Sequence, residues 1–190
     1  MQPIGPLMIE HRLIERMIAL MKQDLTRIKD NVAVDPEFAF VDPVFIEIGV
    51  DFFRTYADRC HHGKEEDLLF AELAQKALAP EHRQIMEELT QEHLRARELT
   101  SRLVKAKEGY LLEHQGAVAA LLDWIEELTE FYPKHIDKED KQFFIPVMAY
   151  FTPAEQEALL ARMHEFDRQM IHEKYAQVVH QIENRRACHI

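Results

Sequence analysis

Apolar residues recur at helical spacing through most of the chain. Leu7, Ile14, Ile18, Met21, Leu25 and Ile28 share a stripe, which predicts a first helix from about Leu7 to Lys29. From Asp30 to Asp42, where Asp35-Pro36 and Asp42-Pro43 interrupt the pattern, the chain reads as a loop with at most a short turn of helix. Asp42 as N-cap with Pro43 in the first helical position opens a second helix, which continues through His61 to about Leu78. A third starts near Pro80 and runs to about Glu108, where Gly109 can take a left-handed terminal conformation. A fourth begins after Tyr110 and reaches the Ile145-Pro146 break. Thr152-Pro153-Ala154-Glu155 has the form of a capping box and starts a fifth helix, predicted to reach about Glu183. Helices joined by short connections are antiparallel neighbours. The expectation is an all-α fold: an up-down-up-down four-helix bundle over residues 1–150, with an additional C-terminal helix and a short tail over residues 151–190.

Composition narrows the function. The 190 residues are 47% hydrophobic and 30% charged, with only five glycines, as suits one helical domain with a sizeable core. The formal net charge of −11, with no offsetting Lys/Arg cluster, argues against nucleic acid as a partner. No apolar run is long enough to span a membrane, and Met1-Gln2-Pro3-Ile4 does not begin a signal peptide. Two cysteines, Cys60 and Cys188, are too few for a disulfide framework, so a reduced, cytoplasmic location is expected. Glu-x-x-His, His-Glu-x-x-His, a glycine-rich phosphate loop and Gly-x-Ser-x-Gly are all absent.

The eleven histidines are organised. His61-His62-Gly63-Lys64-Glu65-Glu66-Asp67-Leu68-Leu69-Phe70 is echoed by His135-Ile136-Asp137-Lys138-Glu139-Asp140-Lys141-Gln142-Phe143-Phe144, both reading His-x-x-Lys-Glu-acid-x-x-apolar-Phe. Glu10-His11 is echoed by Glu92-His93. On an α-helix, positions i and i+4 lie about 40° apart and one turn above each other, so His61 with Glu65, and His135 with Glu139, can converge on one metal ion or two adjacent ones. About 18 residues separate His11 from the end of the first helix and Pro43 from His61, and about 13 separate Glu65 from Leu78 and Pro80 from His93. Three helices therefore carry their candidates at one level.

The ordered set Glu10-His11-Arg12-Leu13-Ile14, His61-His62-x-x-Glu65-Glu66, Glu92-His93 and His135-Ile136-x-Lys138-Glu139-Asp140 resembles the hemerythrin family, in particular its His-His-Glu cation-binding domains, over roughly residues 5 to 150. The resemblance implies a non-haem di-iron centre, open to an oxo bridge. Its terminal ligands would be His11, His61, His93 and His135, and its bridging carboxylates Glu65 and Glu139. Zinc or manganese is the alternative metal. Two departures stand out. Oxygen-carrying relatives have a further histidine four residues after the third-helix ligand, where this chain has Arg97. They also place the last carboxylate five residues after its histidine, which here is Asp140. Glu139 is favoured because in a straight helix Asp140 points about 140° away from His135, although Pro133 could distort that helix and favour Asp140. Four histidines and two carboxylates would leave both irons open in similar measure. That is more like the relatives that repair iron centres, handle nitric oxide or sense iron.

The remaining groups are open to two readings. His62, Glu66 and Asp140 either orient ligands or face solvent, and Glu10 and Glu92 either support ligands or form salt bridges. Tyr56 and Tyr132 read as packing residues near the site, and Cys60 as a small buried one. His164, His172 and His180, eight residues apart, spiral around the fifth helix and share no face; with His82 and His114 they read as surface or packing residues. The fifth helix, with its stripe Leu159, Leu160, Met163, Phe166 and Met170, is expected to cover the end of the bundle where the first helix has barely begun; a homodimer contact is the alternative. Together these features predict a protein that binds and reduces a diatomic ligand (O2 or NO) or peroxide, using electrons from a donor protein. The alternatives are a non-enzymatic oxygen or iron sensor and a metal-stabilised structural bundle.

Overall fold

The computed structural model describes residues 2–34, 40–168 and 171–187. Six helices and no strands are present among the described residues: α1 (Ile4–Val34), α2 (Pro43–Asp51, continuing through Phe52–His62 and Glu65–Phe70 to Ala71–Leu73), α3 (Pro80–Leu111), α4 (Ala117–Lys138, continuing through Glu139–Phe143 to Phe144–Val147), α5 (Pro153–Phe166) and α6 (Ile171–Ala187). The first four form an antiparallel ring in which α1 packs on α2 and α4, and α3 on α2 and α4.

The caps follow from local chemistry. Asp42 Oδ1 accepts from the backbone N–H groups of Val44 and Phe45, with Pro43 filling the first helical position. Thr152 and Glu155 form a reciprocal capping box. Gly109, in contrast, remains inside α3, and the turn into α4 uses Glu113 (φ 56°) and Gly116 (φ 77°). Glycine carries no penalty at that backbone angle. Pro133 is accommodated within α4, which stays α-helical to Lys138.

The predicted fifth helix is two helices, broken at a turn at Asp167-Arg168. The Asp167 carboxylate is held from outside by Lys64 (2.6 Å) and His172 (2.9 Å), and α6 runs back along α1 and α2. Leu159 and Met163 of α5 are buried at the end of the bundle where α1 begins, and Leu160 is half-buried. Phe166 is partly exposed, yet its ring lies where a side chain at Gly63 would stand, 3.2 Å from that position. Met170, Cys188 and the Asp35-Pro36 pair lie outside the described residues. No helix among the described residues is long and apolar enough to cross a membrane.

Two apolar clusters fill the bundle. One contains Ile14, Met17, Met21, Phe52, Leu99, Leu121 and Ile125, joined by Tyr175, Val179 and Ile182 of α6. The other holds Ile4, Leu7, Leu69, Leu89, Phe143 and Phe144 with Leu159 and Met163 of α5. Along each bundle helix, a layer of buried histidines and glutamates separates the two clusters.

Candidate metal centre

Three stretches of the bundle leave α geometry where they carry this polar layer. Phe52–His62 and Glu65–Phe70 of α2, and Glu139–Phe143 of α4, are π-helical. The N–H of Gly63 reaches back five residues to Asp58 O, and that of Phe144 to Glu139 O. Such wide turns recur at functional sites. The wider turn advances each residue by less than the roughly 100° of an α-helix. Consecutive residues can then both face inward.

All six residues singled out from the sequence come together. His11, His61, His93, His135, Glu65 and Glu139 are each buried. Ligating atoms of His11, His61, Glu65 and Glu139 lie within 4.8 Å of one another. Glu139 stands 3.0 Å from His11 Nε2, 3.2 Å from His135 Nε2 and 3.7 Å from His93 Nε2, while Glu65 lies 3.3 Å from His93 Nε2. The Nε2 atoms of His11 and His61 approach to 2.9 Å. Asp140 points elsewhere and accepts from His11 Nδ1 at 2.7 Å while pairing with Arg12.

Behind the ring, the sequence repeat reappears as wiring. Each Glu that precedes a ring histidine holds the histidine of the next helix: Glu10 accepts from His61 Nδ1 and Glu92 from His135 Nδ1, both at 2.8 Å. Each acid that follows a ring glutamate does the same: Glu66 takes His93 Nδ1 and Asp140 takes His11 Nδ1, both at 2.7 Å. The repeated lysines complete the pattern, Lys64 on Glu10 and Lys138 on Glu92. A carboxylate on Nδ1 fixes each ring's tautomer and turns Nε2 inward, the arrangement of metal-bound imidazoles.

Inside the ring the accounting is different. Both oxygens of Glu65 and of Glu139, Nε2 of His93 and Nε2 of His135 are buried with no hydrogen-bond partner. Buried polar atoms are rarely left so. Burial opposes charge on His11 and His93, yet the surrounding carboxylates prevail. Asp140 and Glu139 hold the His11 pKa up at about 10, and Glu139, Glu65 and Glu66 hold that of His93 at about 11. Burial would raise Glu139, but His135, His11 and His93 keep it well below its ordinary 4.5. The ring thus calls for positive charge at its centre, which a metal cation supplies without protons. Imidazole nitrogen and carboxylate oxygen suit iron, zinc or manganese.

The sequence reading left His62 open, and the structure places it in the layer. Its side chain is fully buried, and its ring stacks on His93 with centroids 3.9 Å apart and planes 11° apart. Ligating atoms of His62, His93 and His135 lie within 4.8 Å of one another. A signal for this existed in the repeat, which aligns His62 with Ile136, itself a buried core residue. Arg97 holds Asp58 and Glu66 at 2.7 and 2.8 Å. Tyr56 and Tyr132 pack in the first apolar cluster, and Cys60 is buried near Asp167, with burial pushing its thiol up to about 12.

His172 lies between Asp167 and Tyr56, donating or accepting at 2.9 and 3.0 Å, whereas His164 and His180 are exposed. A cavity of about 580 Å³ opens between α1 and α6, lined by Ile9, Leu13, Tyr56 and His172, and reaches Glu10 behind His61 without entering the ring.

The Hemerythrin HHE cation binding domain family model matches residues 2–145, which includes all of the ring and its supporting carboxylates. No curated protein and no solved structure matches the chain. With the match spanning most of the chain and four helices presenting histidine and glutamate to one buried layer, this protein belongs to the hemerythrin HHE cation-binding family.

Proposed function

We propose that the ring holds two iron ions and that the protein binds and reduces a small ligand, O2, NO or peroxide. The observation that carries this reading is the group of buried, unpartnered carboxylate oxygens and imidazole nitrogens converging from α2, α3 and α4. His11, His61, His93 and His135 would be the terminal ligands, and Glu65 and Glu139 the carboxylates shared between the ions. Bound iron would supply Lewis acidity and one electron per ion.

This chain's residues provide the rest. Glu10, Glu66, Glu92 and Asp140 orient the imidazoles and keep their Nδ1 protons away from the ring centre. The two apolar clusters exclude bulk water from either side. Phe144 stacks on His11, Phe131 on His135 and Phe70 on His93, so the ring faces are apolar as well. A small uncharged ligand suits such surroundings better than an anion. Repeated reduction requires an external reductant, for which an electron-donor protein is proposed.

A second reading, a sensor of oxygen or iron, has its own observation. Asp167, at the α5–α6 turn, is tied through Lys64 and Glu10 to His61. A change at the ring would reach the two C-terminal helices along that chain of contacts. The discriminating experiment supplies iron-loaded protein with a chemical reductant and either NO or peroxide, and follows consumption. Catalytic consumption proportional to iron content supports reduction. Reversible ligand binding without turnover favours the oxygen sensor, and inertness toward O2, NO and peroxide contradicts both reduction and oxygen sensing.

A further inference from the structure

Tyr56 reads from the sequence as a packing residue, and its ring does pack, 2% exposed and stacked on Phe52 with centroids 5.2 Å apart. Packing does not explain its hydroxyl, which lies 3.0 Å from His172 Nδ1, while His172 Nε2 lies 2.9 Å from Asp167 Oδ1. Against burial, His172 and Lys64 hold the Asp167 carboxyl below its ordinary 3.8, so it is ionised and only accepts. In the neutral imidazole Nε2 therefore carries the proton, and Nδ1 offers its lone pair to the phenol. We propose that Tyr56 is a redox-active side chain, giving one electron to the metal ring when the irons lack one and its phenolic proton to His172 Nδ1. The inference rests on the two-iron reading above and adds an electron source within the chain.

Position favours this tyrosine. Tyr56 precedes His61 by five residues on α2, about 7 Å along the helix axis, and Asp167 is linked through Lys64 and Glu10 to His61 Nδ1. Burial and the nearby Glu10 make the phenol hold its proton more tightly than usual, so losing an electron is costly unless the proton leaves with it. His172 takes that proton without bulk water. The imidazolium so formed faces Asp167 and, at 3.4 Å, Glu10. Tyr150 makes a matching bond to His82 at 2.8 Å, but His82 stands eleven residues before His93, about 16 Å along α3. Tyr56 and His172 also line the cavity between α1 and α6, where a small external reductant can return the electron.

The step balances with hydrogen peroxide as the oxidant. Cleaving its O–O bond to give two waters takes two electrons and two protons. A ring holding one ferrous and one ferric ion supplies one electron. The second comes from Tyr56, whose O–H bond breaks: the electron goes to the ring and the proton to His172 Nδ1, while solvent supplies both protons of the waters. The products are two waters, a diferric ring and a neutral tyrosyl radical beside an imidazolium.

The test uses the full chain loaded with iron, reduced by one electron per molecule, mixed with hydrogen peroxide and frozen for electron paramagnetic resonance. A mixed-valent iron signal is expected before peroxide, and afterwards a radical signal that narrows when the protein carries ring-deuterated tyrosine. Tyr56→Phe should keep the mixed-valent signal and lose the radical, whereas Tyr150→Phe should keep both. His172→Phe should leave the mixed-valent signal unchanged and slow radical formation roughly 100-fold or more, as expected for loss of a positioned proton acceptor. A mixed-valent sample that yields no radical, or a radical that persists in Tyr56→Phe, would overturn the inference and leave the two-iron reading standing. Iron-loaded wild type with no mixed-valent signal would overturn both. Should Tyr56→Phe fail to fold, His172→Phe decides: a radical formed at the wild-type rate counts against Tyr56.

Discussion

Lys64 and Lys138 occupy equivalent positions in the repeat, yet only one is sealed. The Lys64 side chain is 0% exposed and bridges Glu10 and Asp167, the latter at 2.6 Å. Lys138, 22% exposed, bridges Glu88 and Glu92 at the partly solvated rim of the bundle. Replacing each by Met keeps the aliphatic stem and removes the charge. In Lys64→Met, Glu10 stays buried with His61 at 2.8 Å and His172 at 3.4 Å, and Asp167 keeps His172. Removing one member of a buried ion pair costs about 3–5 kcal/mol, while an exposed pair is worth about 1 kcal/mol or less. Lys64→Met should therefore be the less stable by at least about 2 kcal/mol. For a chain this long, its midpoint should fall by on the order of 10 °C from wild type. Urea unfolding of chelator-treated protein gives the free-energy difference and thermal unfolding the midpoint, both followed by circular dichroism and without a contribution from bound metal.

The pH dependence adds a sign. Burial opposes charge on Glu10, but His61 and Lys64 hold its pKa below the ordinary 4.5. A depressed carboxylate contributes stability above that value and loses it as the pH falls through the folded pKa. Against burial, Glu10 and Asp167 hold Lys64 above 10.5, so its own contribution is intact below that pH. The Lys64→Met deficit should be flat across neutral pH and shrink on acidification below 4.5. Equal stability of the two variants, or a deficit that grows on acidification, would refute the reasoning.

Three further outcomes follow from the same contacts. Glu139→Gln removes the carboxylate that faces three imidazoles and should abolish tight binding of at least one metal ion, whereas Asp140→Asn, behind His11, should weaken binding roughly 10–100-fold; a competing chelator measures both, and the reverse order would make Asp140 the ligand. Thr152→Ala should cost about 1 kcal/mol by removing the cap of α5, read from the urea midpoint. Met163→Ala, in the buried cluster that α5 completes, should cost about 2–5 kcal/mol; a value under about 0.5 kcal/mol would mean that α5 does not close that end of the bundle.

The parts of this architecture legible in the sequence are those set by local chemistry. Asp42-Pro43 and Thr152-Pro153-Ala154-Glu155 locate helix starts because their capping groups lie within three residues of the backbone they satisfy. The pairs His61/Glu65 and His135/Glu139 could be read because i,i+4 geometry survives the passage into wider turns. His62 stayed ambiguous because straight α geometry turns it about 100° from His61, and single-residue periodicity does not announce a π-helical stretch. Its alignment with Ile136 was the available clue. The supporting carboxylates were visible as residue types but not as partners, since Glu66 meets His93, and Asp140 meets His11, only across helices. The break between α5 and α6 was hidden for a similar reason. Asp167-Arg168 carries no glycine or proline, and the groups that hold the turn, Lys64 and His172, lie elsewhere in the chain.

The central claim is that the buried ring is a two-iron site, and metal content together with the optical spectrum of protein purified without air tests it most directly. Two irons per chain, with a new near-ultraviolet band on admitting O2, is the predicted result. One zinc per chain or no metal, and a spectrum indifferent to O2, would contradict it.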